Sequence, residues 1–194
     1  MESDPNNLSP DRELLGFWFG PRPGSQRREW FRKDDRFDQE LRRRFGDLHA
    51  KAARRELEGW RDSPEPMLAL VILLDQLSRN LYRDDARAFA QDAHALECAA
   101  QAISRGDDLE LLPVQRQFLY LPYEHSESIA DQERAVELMR SLDAFEQTRG
   151  MSEYAVRHRD IVKRFGRFPH RNAALGRDPT AEEAQFLREP GSSF

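Results

Sequence analysis

The sequence predicts an all-α fold, and three observations carry that expectation. Apolar residues recur every three or four positions in almost every segment, no run alternates apolar and polar residues as a half-buried strand does, and helix-start and helix-stop residues bracket the periodic stretches. With 194 residues the chain is sized for a single helical domain, 1–194. A domain of that size buries about 70% of its unfolded surface, so it needs no disulfide or metal to hold a core. Residues 1–8, the linker around 20–27 and the tail 189–194 are expected to be flexible.

Ser9-Pro10 supplies an N-cap and a proline at the first helical position, opening a short helix through Leu14, Leu15, Trp18 and Phe19 that Gly20-Pro21 stops. A long charged helix is expected from about Asp34 to Glu58, with Phe37, Leu41, Phe45 and Leu48 on one face. Ser63-Pro64 caps the third. Its run Met67 to Leu74 is apolar all round, which makes it the central helix, enclosed by others. Asp84-Asp85 is read as the start of a fourth helix that ends at Gly106 and pairs with the third through small residues such as Ala93 and Ala100. Pro113 begins a shorter helix expected to break at Pro122, and Ser128 begins one running to about Gln147. A helix from about Met151 to Phe165 follows Gly150. Thr180-Ala181-Glu182-Glu183 is a capping-box pattern for a last helix that includes Phe186 and Leu187.

Successive antiparallel helix pairs predict a tetratricopeptide-like α-solenoid or a compact helical bundle. No strict tetratricopeptide repeat, roughly 34 residues, is present.

Composition narrows the function classes. Cys98 is the only cysteine and sits in a helical core pattern, which fits a reducing cytoplasm. The start Met1-Glu2-Ser3-Asp4-Pro5 has no leader pattern, and the longest apolar run is far below the roughly 18 residues of a membrane span, so a soluble cytoplasmic protein is expected. The net charge of -5 and a pI near 5.6 argue against nucleic acid as a partner. Charge is nonetheless segregated. From Arg157 to Arg177 seven Lys or Arg accompany the single acid Asp160, whereas from Asp107 to Glu153 eleven acids face four arginines. A local cationic site for a small anion, a carboxylate or a peptide remains open.

Polar clusters interrupt the core pattern. In Asp75-Gln76-Leu77-Ser78-Arg79-Asn80, Asp75 with Arg79 and Gln76 with Asn80 stand four apart, so each pair should meet on a helix surface. Glu124-His125-Ser126-Glu127 follows a proline, where side chains project from irregular backbone. His158 shares the apolar face of its helix with Tyr154, Ala155, Ile161, Val162 and Phe165, and a buried imidazole needs a partner. Gly166 then ends the helix, and Arg167-Phe168-Pro169-His170-Arg171-Asn172 turns sharply.

Catalytic candidates are therefore His125, His158, His170, Glu124 and Asp75. Ligand-binding candidates are Asp75, Gln76, Arg79, Asn80, Arg164, Arg171 and Asn172. Arg79, Arg164 and Arg171 would hold an anionic or carboxylate-bearing ligand while the histidines orient it, with Arg171 expected to be partly exposed. Asp75, Arg79, His125, His158 and His170 should line one cavity. The alternatives are an enzyme using a histidine as acid or base, its tautomer fixed by Glu124 or Asp75, or a protein-interaction scaffold. No zincin pair, paired-cysteine motif, Walker loop or nucleophile elbow is present, so no metal and no cofactor is expected.

Over nearly its whole length the chain resembles the bacterial domain-of-unknown-function 924 family. The resemblance rests on Leu15-Gly16-Phe17-Trp18-Phe19-Gly20, Leu74-Asp75-Gln76-Leu77-Ser78-Arg79-Asn80, Leu121-Pro122-Tyr123-Glu124-His125-Ser126-Glu127, His158-Arg159-Asp160 and Arg164-Phe165-Gly166-Arg167-Phe168-Pro169-His170-Arg171-Asn172. It implies a tetratricopeptide-like helical fold and supplies no activity. Ser78 stands where the family pattern usually reads proline, which should relax the helix there.

Overall fold

Helix ends fix the architecture of the computed structural model, which describes residues 8–192. Proline at the first position opens α1 (Pro10–Phe19), and Gly20, at φ 67°, closes it in backbone that L side chains resist. The carbonyls of Phe17 and Trp18 at its end accept from Arg27, each at 2.7 Å. Asp34 caps α2 (Asp35–Ala53) by accepting from the amides of Arg36 and Phe37. That helix ends before Glu58 because Arg55 adopts φ 60°, and Glu58–Asp62 then forms a 3-10 turn.

The central helix is built in three continuous pieces, α3 (Pro64–Ile72), a π segment (Leu73–Leu77) and α4 (Ser78–Leu81). Every residue from Met67 to Leu74 is fully buried, and α3 packs on α1, α5 and α6. The helix is thus widened in the turn before Ser78, and Ser78 itself begins α4. The Ser78 hydroxyl donates to the Leu74 carbonyl at 2.6 Å and lies 2.9 Å from His49 Nε2.

The fourth expected helix starts later than its acids suggest. Asp85 caps only a 3-10 turn, Ala86–Ala88, and α5 spans Asp92–Arg105. Buried Ala95, Cys98, Ala99 and Ala102 let it approach α3 closely. Pro122 does not break α6 (Pro113–Glu124): it removes one donor in the last turn, and the amide of His125 still reaches the Leu121 carbonyl at 2.9 Å. Ser128 caps α7, which ends at Leu142 instead of near Gln147 (Ile129–Leu142). Left-handed Gly150 and Gly166 bound α8 (Met151–Phe165), and a capping box between Thr180 and Glu183 starts α9 (Ala181–Phe186), for which Leu187 is the C-cap.

Consecutive helices α5, α6, α7 and α8 pack on one another, and among the described residues there is no strand. The main core draws on α1 through α7 and on Ala155 of α8. A small satellite core of Ile161, Val162 and Phe168, with Phe165 and Phe186 against it, lies at the C-terminal end of α8. Of the segments expected to be flexible, residues 1–7 and 193–194 lie outside the described residues; Ser192 is buried and its hydroxyl donates to the Leu187 carbonyl at 3.2 Å. Among the described residues no helix is long and apolar enough to cross a membrane.

Candidate functional site

Where the two cores meet, the π segment, the end of α6, the middle of α8 and the turn after it bring polar side chains together. Asp75 is fully buried, and its carboxylate is matched on every side. Its Oδ1 accepts from His125 Nδ1 at 2.6 Å and lies 3.1 Å from Arg79 Nη1, which donates to the Asp75 backbone carbonyl, and its Oδ2 accepts from the Gln76 amide at 2.6 Å. Burial alone would raise the Asp75 pKa, but Arg79, His125 and these hydrogen bonds hold it well below the usual carboxylate range. Arg79 also forks onto Asp92, the first residue of α5, at 2.9 and 3.1 Å.

Asp92 is shared. Arg171, from the turn Pro169–Arg171, donates to it at 3.1 Å and to the His125 carbonyl at 2.9 Å. The Arg171 guanidinium lies between the rings of Phe89 and Phe168, 4.7 and 4.6 Å from their centroids. Burial, then the neighbouring charge of Arg79, push its pKa down to about 10. Its buried Nε has no acceptor among the described residues.

Glu124 and His125 adjoin in sequence yet face different partners. Glu124 is buried beside His158 of α8, whose Nδ1 donates to the Tyr154 carbonyl at 2.9 Å and lies 3.1 Å from Glu124 Oε1. Burial and then the Asp75 charge raise the Glu124 pKa to about 8, while burial lowers that of His158 to about 3. At neutral pH the pair is therefore a close contact between uncharged groups, not an ion pair. The His125 and His158 rings are 6.3 Å apart, and Phe168 lies between His158 and His170, 5.7 and 5.5 Å from them. Burial, followed by Arg171 and His125, lowers the His170 pKa to about 4.

The structure thus gathers Asp75, Gln76, Arg79, Glu124, His125, His158, His170 and Arg171 into one packed network. It holds other expected members apart. Gln76 and Asn80 do not meet, because each amide finds a charged acceptor instead: Asn80 donates to Asp38 of α2 at 2.7 Å. Asn172 serves α9, donating to Glu183 and accepting from Arg177. Arg164 is at the surface, paired with Glu182 at 2.8 Å with its side chain 49% exposed. Arg171, expected to be partly exposed, is only 6% exposed, so tolerance of its truncation does not separate a ligand contact from a scaffold contact. Tyr154, placed on the buried face by its spacing, is 48% exposed.

Asp92, Phe89 and Phe168 were not legible as members. Asp92 reads in the sequence as an ordinary acid inside the fourth helix, and only the fold places it in a first turn between two arginines. Two surface hollows of about 350 and 410 Å³ lie against α1 and residues 20–29, away from this network. Among the described residues no group of three ligating side chains is placed to hold a metal ion.

Fold and network together define an all-α helical protein with a buried carboxylate, imidazole and guanidinium cluster at the meeting of its two cores. The chain belongs to the family described as bacterial protein of unknown function (DUF924), whose sequence model matches residues 14–191. It is similar to a solved protein of unknown function from Agrobacterium tumefaciens, ATU0120, at 44% identity and a TM-score of 0.81, covering 92% of this chain and 96% of that one. No curated protein matches it.

Proposed function

We propose that the cluster binds a small ligand through a carboxylate or similar anionic group, held by Arg79 and Arg171 and oriented by His125 and His170. The observation that carries this reading is the closeness of two guanidiniums under burial. Asp75 and Asp92 accompany them, yet the charged form of Arg171 remains disfavoured, first by burial and then by Arg79. A bound anion would offset that cost and give the orphaned Nε of Arg171 an acceptor. His158 and Glu124 line the buried side, with Asp75, Gln76 and Asp92 fixing the groups that touch ligand. The sequential packing of α5 to α8 supports a tetratricopeptide-like stacking of helix pairs as the frame.

Thermal unfolding at constant ionic strength tests the reading, with acetate, malonate, succinate, pyruvate and phosphate as probes. A ligand at a hundred times its dissociation constant adds about 2.7 kcal/mol, a plain rise in Tm. The expected result is a rise for one class of anion that disappears in Arg79→Gln and persists in Arg164→Ala. Small, equal shifts in both variants would show ordinary salt effects and overturn the site.

A further inference from the structure

We propose that His125 is a general base that takes a proton from a carbon next to the carbonyl group of a bound carboxylate ligand, with Asp75 as its positioning residue. The inference rests on the ligand-binding reading above and adds chemistry to it. Geometry carries it. Asp75 is fully buried and its Oδ1 lies 2.6 Å from His125 Nδ1, so the carboxylate fixes the tautomer that bears hydrogen on Nδ1 and a lone pair on Nε2. Among the described residues nothing hydrogen-bonds that Nε2. The His125 side chain is 14% exposed, whereas that of Asp75 is 1% exposed, so the imidazole is the member of the pair a ligand reaches.

The ring is uncharged when it is needed. Burial and Arg79 lower its pKa against the opposing pull of Asp75 and Asp92, leaving it able to accept a proton at neutral pH. The groups facing it are Asp75 from the π segment, Arg79 from α4, Asp92 from α5, His158 from α8, and His170 and Arg171 from the following turn.

Arg79 and Arg171 favour a carbon acid as the substrate. When a carbon beside a carbonyl loses its proton, the pair of the broken C–H bond becomes the C=C bond of an enolate, and negative charge moves to the oxygen. Guanidiniums already in place stabilise that charge more than they stabilise the neutral carbonyl. The proton rests on Nε2 and returns by the same path, or exchanges with solvent, so no oxidant, reductant or second substrate is required.

Pyruvate in D2O gives a direct readout, the loss of its methyl proton signal by nuclear magnetic resonance as deuterium enters. The protein should accelerate exchange, and His125→Gln should reduce the acceleration about a hundredfold or more, the usual scale of general-base catalysis. Arg164→Ala should exchange at the unmodified rate. Asp75→Asn should slow exchange and also move the acid limb of its pH profile to lower pH, because Asp75 raises the His125 pKa; a merely structural aspartate would leave that limb in place. A pyruvate-induced Tm rise without accelerated exchange, or with acceleration that survives His125→Gln, overturns the base and spares the ligand site. Absence of any Tm rise with pyruvate and the other carboxylates overturns both.

Discussion

Burial keeps Glu124 protonated up to about pH 8 and His158 uncharged down to about pH 3, and the two effects act on stability with opposite sign in overlapping windows. Between the ordinary glutamate value of 4.5 and about 8, the folded chain holds a Glu124 proton that the unfolded chain has released, so stability falls as pH rises through that window. Between about 3 and 6.5 the unfolded chain holds a His158 proton that the folded chain lacks, so stability rises with pH there. Glu124→Gln keeps the shape and removes only the first effect. The variant should gain on the unmodified protein by on the order of a few kcal/mol between pH 5 and pH 8, since a bound proton difference changes stability by about 1.4 kcal/mol for each step of one in pH. Urea unfolding at both pH values measures this, and parallel pH dependences would show that Glu124 is not held protonated.

Capping residues made several helix ends readable, since each acts within one turn of chain: Ser9-Pro10 opens α1, Gly150 and Gly166 bound α8, and Thr180 with Glu183 starts α9. Two glycines give a paired test. Gly46 lies inside α2 with nothing within 4 Å of an added Cβ, so Gly46→Ala should stabilise by about 0.5–1 kcal/mol. Gly166 has equal room but φ +72°, so Gly166→Ala should cost about 1–2 kcal/mol. Chemical denaturation of the two variants decides it, and changes of the same sign would sink the backbone account. What local signals do not encode is choice among equals. Asp84-Asp85 reads as a helix start, yet it opens only the 3-10 turn Ala86–Ala88, and α5 begins at Asp92, where Arg79 and Arg171 hold the carboxylate. Pro122 looks like a breaker, yet it falls where α6 has little ladder left to lose. In the site, polar residues beside apolar runs flagged Asp75 and His158, but Arg164 shares the basic segment with Arg171 and is drawn off by Glu182 of α9.

Across the whole molecule, the network spans a boundary between unequal cores. Asp75, Arg79, Glu124 and His125 belong to elements of the main core, while His170 and Arg171 follow Phe168 of the satellite, which buries far less apolar surface. Specific polar links cross between them. Glu127 accepts from the Phe168 amide at 2.8 Å and from Arg177 at 2.7 and 3.0 Å, and Arg171 reaches the His125 carbonyl. A segment with few buried apolar contacts opens locally at less than the global unfolding free energy. Amides of α9 and its C-cap, such as Ala184 and Leu187, should therefore exchange with solvent deuterium well before those of α3 from Met67 to Ile72, which are fully buried. Glu127→Gln weakens the Arg177 pair and the charge-assisted bond to Phe168, worth about 1.4 kcal/mol or more together, so exchange between Phe168 and Phe186 should quicken about tenfold. The α3 amides should be unchanged. Equal protection of α3 and α9, or a Glu127→Gln effect spread evenly over both, would show one cooperative body and remove the boundary on which the cluster is placed.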